Sequence, residues 1–284
     1  FQPERLFDII KNFICFSVEQ TKTFKILAGY HQYFAVRKAV ERTKGAVSGD
    51  GKIGVFWHTQ GSGKSLSMVF YAKLLQERLD SPTIVVITDR NDLDGQLFAQ
   101  FAKCKDFLRQ TPIRAESRQN LIELLNGRKA NGIFFTTIEK FTELAEPLST
   151  RKNIIVMSDE AHRSQYGMTE RVSMRKDENG NDIAVTTVGF ARMVRNALPN
   201  ATYIGFTGTP VSTKDRNTRE IFGDCIDIYD MTQSVADGAT RPVYYESRVI
   251  KLKLDEDTIA QIDSLYAKAD NGENEEAINE SKRK

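Results

Sequence analysis

The apolar residues Leu6, Ile9, Ile10, Phe13 and Ile14 recur at helical spacing and predict an amphipathic helix over Leu6–Ile14. A second helical stretch is expected from about Gln32 to Thr43. Lys44–Gly51, with glycines at 45, 49 and 51, reads as a loop that delivers the chain into a strand. Five short apolar, partly β-branched runs follow: Ile53–Trp57, Thr83–Thr88, Ile133–Thr136, Ile154–Ser158 and Thr202–Phe206. Runs that are apolar on both alternating faces are strands buried on both sides. The stretches between them, Ser65–Leu79, Asp92–Lys103, Arg118–Leu125 and Gly189–Leu198, have the lengths of crossover helices. Such alternation predicts an α/β fold, a parallel β-sheet with helices on both faces. Phe70, Tyr71, Leu74 and Leu75 are then core, packing their helix on the sheet.

Two regions break the alternation. Arg175–Asp182 is polar and centred on Asn179-Gly180, the signature of an exposed turn such as a hairpin tip. After Pro242 come a strand-like segment, Val243–Leu254, a weak amphipathic stretch (Ile259, Ile262, Leu265, Tyr266), and Asp270–Lys284, which is nearly devoid of apolar residues and reads as a linker. The expected organisation is an N-terminal helical region over 1–50, an α/β domain over 51–240 and an extension over 241–284.

Composition narrows the class. With 284 residues, 40 Lys+Arg against 38 Asp+Glu, 27% charged and 40% hydrophobic residues, the chain is an ordinary globular protein, neither collagen-like nor wholly disordered. A net charge of +2 argues against holding nucleic acid by bulk basicity and leaves room for a local groove. No run approaches the roughly 20 apolar residues of a membrane span, and Phe1-Gln2-Pro3-Glu4 lacks the order of a signal peptide, so a cytoplasmic protein without membrane contact is expected. Three scattered cysteines (15, 104, 225) and three histidines (31, 58, 162) suggest neither a disulfide framework nor a zinc cluster.

The candidate chemistry lies at two strand ends. Ile53–Trp57 runs into His58-Thr59-Gln60-Gly61-Ser62-Gly63-Lys64-Ser65, and a helix follows. Glycines 61 and 63 let backbone N–H groups form an anion nest, to which the helix N-terminus adds partial positive charge. Thr59, Gln60, Gly61, Ser62, Gly63, Lys64 and Ser65 are thus the cofactor-binding set, with the Lys64 ammonium on the β- and γ-phosphates and the Ser65 hydroxyl on Mg²⁺. The pattern departs from GxxxxGK[ST] at its first position, where His58 replaces glycine. The run Ile154–Ser158 ends in Asp159-Glu160-Ala161-His162, placing carboxylates at the C-terminal edge where α/β sheets bind ligands. Asp159 would hold Mg²⁺ through water, and Glu160 would orient and deprotonate the water that attacks the γ-phosphate.

With these two motifs the chain resembles superfamily 2 helicases and translocases, whose motor domains are RecA-like P-loop NTPase folds. Gly29-Tyr30-His31-Gln32 looks like their Q motif, which implies that Gln32 reads the adenine edge and sets ATP preference. Thr207-Gly208-Thr209-Pro210 looks like motif III, which implies coupling roles for Thr207 and Thr209 with His162 as their partner. Thr88–Asp94 and Thr136–Phe141 resemble motifs Ia and Ib along a strand-tracking groove, making Arg90, Asn91 and Lys140 candidate DNA contacts.

The wording of Trp57–Ser65, Thr88–Asp94, Asp159–Ser164 and Gly205–Pro210 resembles one branch in particular, the R (restriction, motor) subunit of type I restriction enzymes, which carries a histidine at the place of His58. The resemblance implies ATP and Mg²⁺ as cofactors. It also implies double-stranded DNA and the methyltransferase (modification) and specificity subunits as partners, with ATP-driven translocation preceding cleavage. Only the first motor domain is recognisable. Asp50-Gly51-Lys52 and Glu280-Ser281-Lys282 match three letters of a nuclease pattern in unsuitable settings, so a fragment is expected. Two other readings stay open: another superfamily 2 DNA or RNA motor, and a nucleotide-sensing module without turnover. The Glu160 carboxylate argues against the second, since a sensor needs no base.

Overall fold

The computed structural model describes residues 2–88, 91–141, 146–161, 171–176, 182–187, 190–209, 216–242 and 244. The chain divides into two compact units, Phe1–Arg241 and Pro242–Lys284. Val243–Leu254 and the segments after it lie outside the described residues, apart from Tyr244. The first unit opens with α1 (Pro3–Asn12), β1 (Ile14–Glu19), β2 (Lys22–Leu27) and α2 (Tyr30–Val47). It continues through β3 (Lys52–His58), α3 (Lys64–Arg78), β4 (Thr83–Thr88), α4 (Asn91–Lys103), α5 (Lys105–Leu108), β5 (Ile113–Arg114), α6 (Arg118–Asn126) and β6 (Ile133–Thr137). After a 3₁₀ turn at Ile138–Phe141 come β7 (Ile154–Ser158), β8 (Arg171–Lys176), β9 (Asp182–Thr187), α7 (Phe190–Ala197), β10 (Thr202–Thr207), α8 (Arg216–Phe222), β11 (Cys225–Tyr229) and α9 (Met231–Ala236).

Among the described residues, seven strands form one parallel sheet in the order β11-β3-β10-β7-β4-β6-β5. The five predicted strands are all in it, and β4, β6, β7 and β10 are buried along their whole length. Alternate residues feed two separate apolar clusters. Phe56, Val86 and Phe135 pack with α2, α3 and α4, whereas Val55, Val85 and Phe134 pack with α6, α7 and α8. Each such side chain contributes about 1.5–3 kcal/mol by leaving water, so an uninterrupted apolar run is what a sheet covered on both faces requires. Helix ends follow local chemistry: the Ser117 hydroxyl accepts from the Asn120 N–H at the start of α6, and Asp230 does the same for Gln233 in α9.

The structure corrects two expectations and adds an edge strand. Helix α1 stops at Asn12, and Ile14 instead opens an antiparallel hairpin, β1–β2. Helix α2 runs through Gly45 to Val47, so the loop before β3 is shorter than expected. Its buried face, from Gln32 through Val36, Ala39, Val40 and Thr43 to Ala46, extends beyond Thr43. Gly45 points into open space, where a β-carbon would meet nothing within 4 Å, and costs the helix only about 1 kcal/mol of propensity. Finally, the sheet has an edge strand, β11, that its short mixed sequence Cys-Ile-Asp-Ile-Tyr does not advertise. The polar turn expected around Asn179 is flanked by β8 and β9, antiparallel with Lys176 opposite Asp182, while residues 177–181 lie outside the described residues.

Candidate nucleotide site

Strands β3, β10 and β7 are neighbours, with Thr207 opposite Trp57 and Gly205 opposite Ser158. Their C-terminal ends therefore bring three motifs to one edge: the loop after His58, the turn after Thr207, and Asp159-Glu160. In an open parallel sheet this is the ligand-binding edge.

The loop is held from several sides. Thr59 donates its N–H to the Tyr229 carbonyl at 2.9 Å, and the Ser62 hydroxyl donates to the Thr59 carbonyl at 2.6 Å. Gly61 and Gly63 have φ of +85° and +84°, which only glycine adopts without strain. Lys64 and Ser65 then begin α3, whose first amides leave N–H groups without intrahelical partners, as at any helix start. Glycine at 63 is also required by space, because a β-carbon there would stand 2.8 Å from Gln32 Nε2.

Gln32, buried at the start of α2, accepts from the Gly29 N–H at 2.9 Å and donates to the Gly63 carbonyl at 2.9 Å and the Ser67 hydroxyl at 3.4 Å. In this structure its amide ties α2 to the loop, so the expected contact with an adenine edge is not prepared: the amide is already bonded to Gly29, Gly63 and Ser67. Tyr30, on the same turn, bonds through its hydroxyl to the Asp237 carboxylate, as does Tyr229 at 2.8 Å. These two bonds hold Asp237 below the usual carboxylate range.

His58 is fully buried, with Nε2 3.2 Å from Asp227 Oδ2, while Lys38 pairs with the other oxygen. Burial pushes the His58 imidazole below its ordinary pKa, outweighing the opposing pull of Asp227. Burial also pushes Asp227 up, but His58 and Lys38 together hold it below the usual carboxylate range.

Just after β7 the Asp159 N–H donates to the Ile87 carbonyl at 3.0 Å, and the Glu160 N–H to Asp159 Oδ1 at 3.0 Å. Glu160 takes φ +50°, and Ala161 returns to the sheet by donating to the Phe206 carbonyl at 2.9 Å. This single left-handed residue bends the backbone out of the strand at the sheet edge. Thr207 is buried, and its Oγ1 accepts from the Thr209 N–H at 3.2 Å. Between them Gly208 lies against the loop: a β-carbon there would be 2.8 Å from Lys64 Nζ and 3.2 Å from the Gln60 nitrogen.

His162 and Arg90 lie outside the described residues, so their expected roles have no geometry here. Asn91 begins α4. Lys140 sits in the 3₁₀ turn after β6, its Nζ 3.3 Å from Thr137 Oγ1. Because Thr88 is opposite Thr137, both residues follow neighbouring strand ends at the same edge. Sequence reading missed His31, Asp227, Tyr229 and Asp237. His31 stood inside the quoted Gly29–Gln32 stretch, whereas the other three belong to β11 and the end of α9.

The residues fit a magnesium nucleotide. Two positive-φ glycines, a helix start and the Lys64 ammonium are groups of the kind that bind phosphate, while the Ser65 hydroxyl and the Asp159 carboxylate are hard oxygen donors of the kind Mg²⁺ takes alongside phosphate and water.

The family model of SWI2/SNF2 ATPases matches residues 31–279. The type I restriction enzyme HindI endonuclease subunit of Haemophilus influenzae is 51% identical over 277 residues, covering 93% of this chain and 25% of that protein. A protein of Methanocaldococcus jannaschii, whose name likewise gives it as a type I restriction endonuclease subunit, is 36% identical over 294 residues, covering 99% of this chain and 25% of that protein. The chain thus spans about a quarter of the length of these relatives. The UvsW helicase of bacteriophage T4 shares the fold, with a TM-score of 0.52 at 14% identity over 78% of this chain and 66% of that one. Its sequence and its RecA-like α/β sheet agree: the chain belongs to the SWI2/SNF2 ATPase family, in the branch of type I restriction endonuclease (R) subunits.

Proposed function

We propose that this chain is the ATP-hydrolysing motor segment of a type I restriction R subunit, and that with Mg²⁺ it drives translocation of double-stranded DNA ahead of cleavage. The observation that carries this reading is the convergence of loop, carboxylates and Thr207–Thr209 on adjacent strand ends, with Gly208 against Lys64. In this reading the loop amides and Lys64 bind the triphosphate, and Ser65 and Asp159 hold Mg²⁺, which neutralises phosphate charge when bound. Glu160 orients a water and takes its proton as the water attacks the γ-phosphate, the bond from the γ-phosphorus to the bridging oxygen breaks, and ADP and inorganic phosphate leave. Gln32 reads adenine once its bonds to Gly29 and Gly63 are exchanged. Thr207 and Thr209 pass the state of the site to DNA, with His162 as partner, and Arg90, Asn91 and Lys140 contact DNA phosphates. Modification and specificity subunits are the assembly partners.

The test is titration of a fluorescent ATP analogue with Mg²⁺ into wild type and Lys64→Ala. Loss of most of the affinity is expected, since the loop's strongest point charge is gone. Equal affinity would remove the nucleotide assignment. GTP competing as well as ATP in the wild type would remove adenine reading by Gln32.

A further inference from the structure

His31 precedes Gln32 in α2, and its ring lies flat on Tyr229, with centroids 4.2 Å apart and planes 4° from parallel. The Tyr229 ring is itself anchored through its hydroxyl to Asp237 at 2.8 Å. His31 Nε2 is 3.0 Å from the carbonyl oxygen of Ser62. A carbonyl only accepts, so Nε2 carries the proton and donates it.

The acceptor's position matters. Ser62 stands between Gly61 and Gly63, both at positive φ, and peptides flanked by glycine can turn over with little steric hindrance. The Ser62–Gly63 peptide is planar and trans, so its C=O and N–H point in opposite directions. By drawing the Ser62 carbonyl towards α2, His31 fixes the Gly63 N–H on the other side of the loop. The neighbouring Gly63 carbonyl needs less help, because the Leu66 and Ser67 amides of α3 already hold it at 3.0 and 3.1 Å.

We propose that His31, braced against Tyr229, is a positioning residue that keeps the Gly63 N–H turned to the bound phosphates and prevents the Ser62–Gly63 peptide from flipping. This rests on the nucleotide reading of the loop. It concerns the donor on Nε2, not the bulk of the ring, and the two are separable. His31→Phe keeps a flat ring for Tyr229 and removes the donor. His31→Gln removes the stack and keeps a donor of similar reach.

The experiment is titration of each variant of the protein with a fluorescent ATP analogue and Mg²⁺, with melting temperatures recorded and Lys64→Ala as control. His31→Phe is expected to lose about tenfold in affinity, the scale of one hydrogen bond, while melting within roughly 2 °C of wild type. His31→Gln is expected to bind within roughly threefold of wild type. The reverse order, with His31→Phe binding normally and His31→Gln impaired, assigns the ring to packing and overturns the proposal. Should His31→Phe fold poorly, His31→Gln decides alone, and a loss as large as that of Lys64→Ala overturns it. Normal binding by Lys64→Ala would defeat the nucleotide reading itself. Loss in Lys64→Ala with normal binding in His31→Phe defeats only the role of His31.

Discussion

Gly208 and Lys64, 144 residues apart in sequence, meet so closely that the smallest side chain at 208 would sit 2.8 Å from the lysine ammonium. The most crowded atom is the mobile end of a long side chain, and the Gln60 nitrogen at 3.2 Å has to give by only a few tenths of an ångström, so Gly208→Ala should displace the ammonium more than it disturbs the fold. Weaker binding of the ATP analogue, by about tenfold, is expected with little change in melting temperature, the loss of about one charge-assisted bond. A variant that melts early but binds normally would show that Gly208 serves packing instead.

Glu160→Gln preserves shape and hydrogen bonding but cannot accept a proton at neutral pH. In the intact subunit nucleotide binding should persist while phosphate release falls by about 10²–10⁴, the range for losing a general base. Steady-state phosphate release measures this, and near-normal turnover would mean that another group activates the water.

The buried His58–Asp227 pair gives a pH signature with a definite sign. Burial keeps the folded His58 pKa below its unfolded value, which is about 6.5. Between the two values the unfolded chain binds more protons, so this contribution is complete above about pH 6.5 and is lost as the pH falls towards the folded pKa. Asp227, also held low, acts in the same sense at more acidic pH. Denaturant midpoints measured from pH 7 to pH 5.5 should therefore fall less in His58→Asn than in wild type. Identical slopes would place the acid sensitivity elsewhere.

Gly54 within β3 has φ +135°, and a β-carbon there would stand 2.4 Å from the Asp224 carbonyl and 2.6 Å from Ile226 Cγ1. Gly54→Ala should therefore push β11 away from β3 and cost about 2–4 kcal/mol, as backbone strain and overpacking do. A melting temperature within experimental error of wild type would show that the edge strand yields freely.

The parts of the fold that sequence patterning reached are those where one physical rule dominates. Strands such as Thr83–Thr88 are buried on both faces, so their apolar runs have no competing explanation. The strand–loop–helix order around 58–65 is equally legible, because glycines at 61 and 63 mark a turn that needs positive φ, and both residues adopt it. By contrast, Lys22–Leu27 has no fully buried residue, and its strand exists through pairing with β1, which leaves little pattern to read. In helix α2, Gly45 signals a break that the buried face overrides, and the helix runs on to Val47. Tyr229 and Asp237 gain their meaning from partners about 200 residues earlier, His31 and Tyr30, and no local spacing encodes such a meeting.

The carboxylate shared by Tyr30 and Tyr229 has a mechanical consequence. Asp237 is four residues from Arg241, the last residue of the first compact unit. Four residues reach at most about 14 Å when fully extended, so the chain leaves the unit on a short tether whose near end is fastened to the flank of the phosphate loop. Thr240, on that tether, would meet a β-carbon at Gly61 at 3.2 Å. Tension drawn along the backbone beyond Arg241 would thus load first the bonds that Ala239 and Thr240 make to Ser234, and next the hydroxyl–carboxylate bonds of Tyr30 and Tyr229, before it reached the interior of the sheet.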